Sequence, residues 1–292
     1  MTLHEIPLER GTLHGHFSRD LEPVLTIAPG DTVRIATPNA GWWLESRERF
    51  EPRDDELDAG HALAGPIEVC GARSGQTLSV RIDAVRPGSW GITPTDDEHA
   101  LWWELDADNG VGRAAELQVA LRPFLGVVGM PPPEPGRHST TPPRRWGGNI
   151  DCKELVPGAT LFLPIPVDGA LLSAGDGHAC QGDGEVCGCA IESPVEAELT
   201  LDVRDDLSLE WPIARTADAW ITFGFDEDLN VAAAIATKGM IDLIEREHGI
   251  ERADAFALAS VVVDLRVTQV VNGAKGVHAV LPHDAIGSTT IS

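Results

Sequence analysis

Residues 146–193 carry Asn149, Asp151, Asp176, His178, Asp183, Glu185 and Glu192, interleaved with glycines and with Lys153 as their only lysine. Carboxylate oxygen and imidazole nitrogen are donors for a hard or borderline divalent cation. Such a cation lowers the pKa of a bound water towards about 7 and polarises a carbonyl. Asp151, Asp176 and His178 are the expected ligands; Asp176 and His178, two residues apart, share one side of an extended segment. Glu185 or Glu192 is then the expected general base, its pKa raised by burial. Asn149 is expected to donate its amide to a carbonyl or oxyanion, or else to hold an Asx turn. Zn²⁺ is the expected metal, with Ca²⁺ as the alternative; the imidazole favours zinc.

The elements that must position these groups are short and mostly extended. Glycines at 175, 177, 182, 184 and 188 exclude a helix over 174–188. Residues 159–167, apolar but broken by two prolines, read as an edge or bulged strand. Residues 186–191 read as a second strand, so the pattern is strand, glycine-rich turn with acid and imidazole, strand. Upstream, 13–17, 24–27, 32–37, 67–70, 77–85 and 117–121 alternate as strands. Residues 42–58, opened by Trp42 and Trp43, read as a packed loop or a lid, 88–112 as loop, and the proline-rich 131–143 as neither strand nor helix. Downstream, 195–209 and 219–225 are expected strands. Helical spacing over 231–248 ends at Gly249, a C-terminal cap. A second helix over 251–259 leads into a β-branched run at 261–271, then an Asn272-Gly273 turn and a further strand. The expected architecture is mainly β with a smaller α+β part. A β-sandwich or barrel over 1–225 carries the site, and a helix-helix-hairpin unit over 226–292 packs on it.

Composition narrows the function. The chain of 292 residues has a net charge of −24, which excludes nucleic acid and anionic membrane as partners. No apolar run approaches a transmembrane span, and the start lacks an export signal. Five cysteines, an odd number, read as reduced thiols in a cytoplasmic protein. Cys180, Cys187 and Cys189 cluster without the paired spacing of a zinc-thiolate site and are expected to be small buried residues.

GGNID (147–151) and LPIPVDGALLSAGDGHACQGDGEVCGCAIE (163–192) resemble the central signature of the acetamidase/formamidase family. Further segments, PVLTIAPGDTVRI, HALAGPIEVCGARSGQTLSVRIDAV and FLGVVG, extend the resemblance over most of the chain. It implies a β-rich fold with a smaller α/β portion and hydrolysis of short aliphatic amides to carboxylate and ammonia. Because His61 lies inside a matched segment, it joins the expected metal site. Amides are poor electrophiles, so an activated nucleophile is required. None of Lys153, Lys238 and Lys275 lies beside a glycine-serine run, which argues against a serine-lysine route. Cys152, Lys153 and Glu154 are sequence neighbours and do not converge as a nitrilase-type triad. Metal-activated water remains, with a small-molecule amide as substrate and a homo-oligomer, a dimer, as the working assembly. The second reading is a non-catalytic β-sandwich that binds metal, calcium on its acidic loops, at a ligand or partner surface.

Overall fold

The computed structural model describes residues 1–51, 54, 56–96 and 98–287. Two large sheets pack face to face. One runs in the order Leu3–Ile6, Asp31–Thr37, Val195–Arg204, Thr77–Pro87, Thr160–Pro164, Ile213–Arg215, Ala219–Asp226, Lys275–Pro282, Asp264–Gln269. The other runs Leu117–Ala120, Val111–Ala114, Ala100–Asp106, Trp90–Pro94, Glu192–Ser193, Leu172–His178, Phe124–Gly129, Gly147–Asn149. Leu63–Val69 also pairs with Leu172–His178 and carries Leu13–His14 and Leu25–Ile27. Among the described residues neither sheet closes on itself, so the body is a sandwich and the barrel alternative falls away.

Alternation builds the interior. Asp31–Thr37 buries every second residue, so Val33 and Ile35 meet Val80, Ile82 and Leu199 of the same sheet and Ile67, Leu125 and Leu172 of the other. The expected C-terminal unit is present as α1 (Leu229–His248), α2 (Arg252–Val262) and a hairpin. Asp228 caps α1 by accepting from the Asn230 amide, and Gly249, at φ 62°, closes it. Ala232, Ala236, Met240 and Ile244 pack on Phe162, Val277 and Ala279 of the sheet. Gly224 lets the helix approach, since a Cβ there would strike the Ala232 carbonyl. The hairpin strands continue the first sheet beyond Ala219–Asp226. Among the described residues, no helix is long and apolar enough to cross a membrane.

Several expected elements differ in the structure. Asp176 and His178 stand on a strand, Leu172–His178, and not in a turn. That strand is buried on both faces, which removes the polar alternation by which a strand is recognised. Its glycines mark close contacts: a Cβ on Gly175 would meet the Ala62 carbonyl, and one on Gly177 would lie 2.5 Å from Val195 Cβ. Residues 186–191 are turn and loop, not a strand; the paired segment is Glu192–Ser193. The supposed loop over 88–112 holds Trp90–Pro94, Ala100–Asp106 and the start of Val111–Ala114, whose charged residues face out while Trp90 and Trp103 are buried. Thr160–Pro164 is interior to its sheet, flanked by Thr77–Pro87 and Ile213–Arg215; its proline is tolerated at the strand end. The strand expected over 195–209 stops at Arg204, and α2 extends to Val262 before the last hairpin begins at Asp264. Within 42–58, Trp42 is buried with its indole N–H on the Gly60 carbonyl, whereas Trp43 is exposed. Residues 52, 53 and 55 of that stretch lie outside the described residues.

One buried histidine gives the fold a pH dependence. His14 donates Nδ1–H to the His16 carbonyl (2.6 Å) and accepts from Ser173 Oγ through Nε2 (2.9 Å), so it is neutral. Burial, the largest cause, pushes it down from 6.5 to about 4. Between those values the unfolded chain binds the extra proton, so this residue's contribution is complete above pH 6.5 and is lost as pH falls towards 4. Its slope approaches about 1.4 kcal/mol per pH unit. Urea unfolding at pH 7.5, 5.5 and 4.5 is expected to show His14→Gln with a shallower acid loss than the parent, by one proton at most. Identical slopes would remove His14 as the cause.

Candidate active site

The strand Leu172–His178 brings His178 into a ring of carboxylates. His178 Nε2 lies 3.3 Å from Asp176 Oδ1 and 3.4 Å from Glu192 Oε1, and Nδ1 lies 4.0 Å from Asp151 Oδ1. Glu185 completes the group, its ligand atom within 4.8 Å of those of Asp151 and His178. All five side chains are buried. Three of them, Asp151 (φ 52°), Asp176 (φ 61°) and Glu185 (φ 47°), hold left-handed backbone, a costly conformation for a residue with a side chain. The clustering of strain at the ring itself is characteristic of functional sites.

Supports reach the ring from distant segments. Gln181 Oε1 accepts from His178 Nδ1 (2.8 Å) while its Nε2 donates to the Asp151 carbonyl (2.8 Å). Nδ1 is thereby committed, and Nε2 points between Asp176 and Glu192. Asn272 Nδ2 donates to Asp151 Oδ2 at 2.6 Å. The Gly184 amide donates to the Thr268 carbonyl, and the Val270 amide to the Gly184 carbonyl, so the last hairpin pins the turn that carries Glu185. Glu192 Oε1 accepts from the Ala190 amide. On the facing strand, Gly126 leaves the room: a Cβ there would press on Asp176 Oδ2, 2.7 Å from Asp151 Oδ1 and 2.9 Å from His178 Cε1.

The electrostatics follow from crowding. Burial would lower the His178 pKa, but Glu192 and Asp176 outweigh it and hold the imidazole well above its ordinary value. For Asp176, burial is likewise outweighed, by the charges of His178 and His61, and its carboxyl sits below the usual range. Burial first and Glu185 second push Asp151 well above the carboxylate range. Glu185 is pushed up to about 7, again chiefly by burial. Asp151 and Glu185 bring ligand oxygens within 4.8 Å of one another, so the charge of Glu185 adds to the burial of Asp151.

The ring opens into a cavity of about 260 Å³ lined by Trp43, His61, Ile92, Pro94, Asn149 and Cys189, among others. His61 lines it with Nδ1 held by Thr140 Oγ1 (2.7 Å), but falls outside the grouped metal donors. Asn149 differs from the donor expected of it: Nδ2 is engaged by the Thr141 carbonyl (3.1 Å), and the buried atom without a partner is Oδ1, an acceptor. Asp183 stands aside, exposed and paired with Lys153 at 2.8 Å. Cys187 is exposed, and Cys180 and Cys189 are half-buried, so the cysteines near the site are not the buried fillers expected. Sequence reasoning missed Gln181, Asn272 and Gly126. Gln181 adjoins the turn of Glu185, and Asn272 was visible as a turn former, but no pattern links either to Asp151 across 30 and 121 residues.

An open sandwich with a strained, buried carboxylate–imidazole ring beneath a small cavity defines the class. The family model of the Acetamidase/Formamidase family matches residues 4–129 and 134–286, and the chain belongs to that family. It is 54% identical over 263 residues to an acetamidase of Mycolicibacterium smegmatis, covering 61% of this chain. The chain spans 63% of the length of that relative. Among solved structures, the acetamidase of Yersinia enterocolitica superposes with a TM-score of 0.87 at 26% identity, over 98% of this chain and 93% of that one. The acetamidase of Bacillus halodurans gives 0.83 at 27% identity, over 96% and 97%.

The Gly126 contact is directly testable. Gly126→Ala is expected to keep the fold, with a stability loss of about 1–3 kcal/mol, yet displace Asp176 and abolish activity. Circular dichroism, thermal melting and turnover check it. Full activity in the folded variant would show that the ring tolerates the intrusion.

Proposed function

We propose that this chain hydrolyses short aliphatic amides, of the formamide and acetamide type, to carboxylate and ammonia. The observation that carries the reading is the ring of buried carboxylates around one imidazole, opening into a cavity sized for a few heavy atoms. Asp151 Oδ1, Asp176 Oδ1, Glu185 Oε2 and Glu192 Oε2 are all buried without hydrogen-bond partners among the described residues. Orphaned anionic oxygens in a dry site fit a divalent cation. Since Gln181 occupies Nδ1, the donors that fit best are Asp176, His178 through Nε2, and Glu192. This moves Glu192 from base to ligand. When bound, the cation, Zn²⁺ before Ca²⁺ because of the imidazole, would polarise the amide carbonyl and acidify a water.

The chain's own residues do the rest. Glu185, linked to Asp151, is the base that takes a proton from water and returns it to the leaving nitrogen; Asn272 and Gln181 hold Asp151 in place. Asn149 Oδ1 accepts from the substrate N–H₂. Trp43, Ile92 and Pro94 form the apolar wall for the acyl group, and His61 borders Asp176 at the mouth. Five free cysteines support a reducing, cytoplasmic setting. Exposed Phe256, Val261 and Leu265 along α2 and the adjoining edge strand support self-association as a dimer.

Two measurements test this. Ammonia release is expected to decline in steps from formamide or acetamide to propionamide, about 1–3 kcal/mol per methylene, with no peptide cleavage; peptide turnover at a comparable rate contradicts the reading. Glu185→Gln is expected to keep its metal and lose at least a hundredfold in kcat, whereas Asp176→Asn and Glu192→Gln lose metal and activity together. Metal analysis and kcat on the three variants decide, and metal-replete, inactive Glu192→Gln beside active Glu185→Gln would exchange the two roles.

A further inference from the structure

Behind the ring lies a second group of donors that amide hydrolysis does not use. Cys152 and His278 are wholly buried and Glu154 nearly so. Cys152 Sγ stands 3.2 Å from Glu154 Oε2, and His278 Nε2 stands 3.5 Å from the same oxygen, with all three atoms within 4.8 Å of one another. Three donors of a tetrahedral zinc, bound at about 2.0–2.3 Å, sit about 3.3–3.8 Å apart, so the two distances to Glu154 Oε2 already match, and Sγ and Nε2 would close by about 1 Å at most. His278 Nε2 is buried and has no hydrogen-bond partner among the described residues.

The outer contacts are those of a ligand set. His278 Nδ1 is paired with Thr268 Oγ1 at 2.8 Å, which orients the ring and leaves Nε2 to face the cysteine and glutamate. Arg266 donates to the other carboxylate oxygen of Glu154, Oε1, at 3.1 Å, which leaves Oε2 to face Cys152 and His278. Cys152 and Glu154 directly follow GGNID within the signature, whereas Arg266, Thr268 and His278 belong to the last hairpin. An ion here would join the two segments whose contact also fixes Asp151 and Glu185.

We propose that Cys152, Glu154 and His278 form a structural site for a thiophilic divalent cation, zinc in the first instance, separate from the ring around His178. Thiolate, carboxylate and imidazole balance the charge of the ion, and a water takes the fourth position. Cys152 gives up its thiol proton to solvent as the Sγ–metal bond forms, so loading releases one proton.

The sulfur distinguishes this site from the first, which offers only oxygen and nitrogen. Full-length protein stripped by chelator and titrated with Co²⁺ is expected to develop a thiolate-to-metal charge-transfer band in the near ultraviolet, saturating at one equivalent per chain. Cys152→Ser is expected to abolish the band while the Co²⁺ bound at the other ring remains, and His278→Gln to weaken band formation at least tenfold. X-ray absorption of zinc-loaded parent protein, which needs no variant to fold, is expected to show a sulfur neighbour at about 2.3 Å. Absence of both band and sulfur neighbour would overturn the assignment. So would a band undiminished in Cys152→Ser, which would belong to Cys187 and Cys189.

Discussion

Four carboxylates buried around a single imidazole set the terms for the rest of the structure. Taking a carboxylate out of water is unfavourable by several kcal/mol unless a partner compensates, and one imidazolium cannot compensate four. The fold answers this crowding with directed dipoles, Asn272 donating to the Asp151 carboxylate and the Ala190 amide to that of Glu192. His178 Nε2 is where positive charge must reside, as a proton or as a metal ion, because Asp176 and Glu192 both face it. Neither cation is exchangeable for an apolar filler without leaving those oxygens stranded.

Bringing five bulky side chains to one point requires that their backbones come unusually close. Gly126 supplies that on the facing strand, and Gly175 and Gly177 supply it between Asp176, the Ala62 carbonyl and Val195. The left-handed backbone at Asp151, Asp176 and Glu185 is the remaining cost, met by the dense core of the two sheets. A strained residue keeps its position only while its surroundings leave no alternative. Hence the pairing of Leu172–His178 with neighbours on both sides matters as much as the ring itself.

Much of this was legible in the sequence. The strongly patterned parts, alternating Asp31–Thr37, helix α1 with its Gly249 cap and the Asn-Gly hairpin, follow from local periodicity and turn chemistry. The acid and imidazole at 176 and 178 were legible as a pair because their spacing survives any extended geometry. Their strand was not, because burial on both faces erases alternation and its glycines look like turn formers. The Trp90–Asp106 region misled for the opposite reason: exposed acids and Trp102 hid the inward residues Trp90 and Trp103. Gln181 and Asn272 act at long range, and a single sequence holds no sign of which distant carboxylate an amide will meet.

The hairpin that supplies Asn272 has a consequence for how the molecule comes into being. Every donor of the ring is contained in residues 151–192, yet the turn bearing Glu185 is tied to Thr268 and Val270, and Asp151 to Asn272. A growing polypeptide that has already emerged with the whole signature therefore holds an unfinished centre. Contacts that span 84 to 121 residues form late, after the loop-closure entropy has been overcome. Maturation of the centre is thus coupled to the last docking event of the fold, and a chain halted before its final hairpin is left inert rather than half-active.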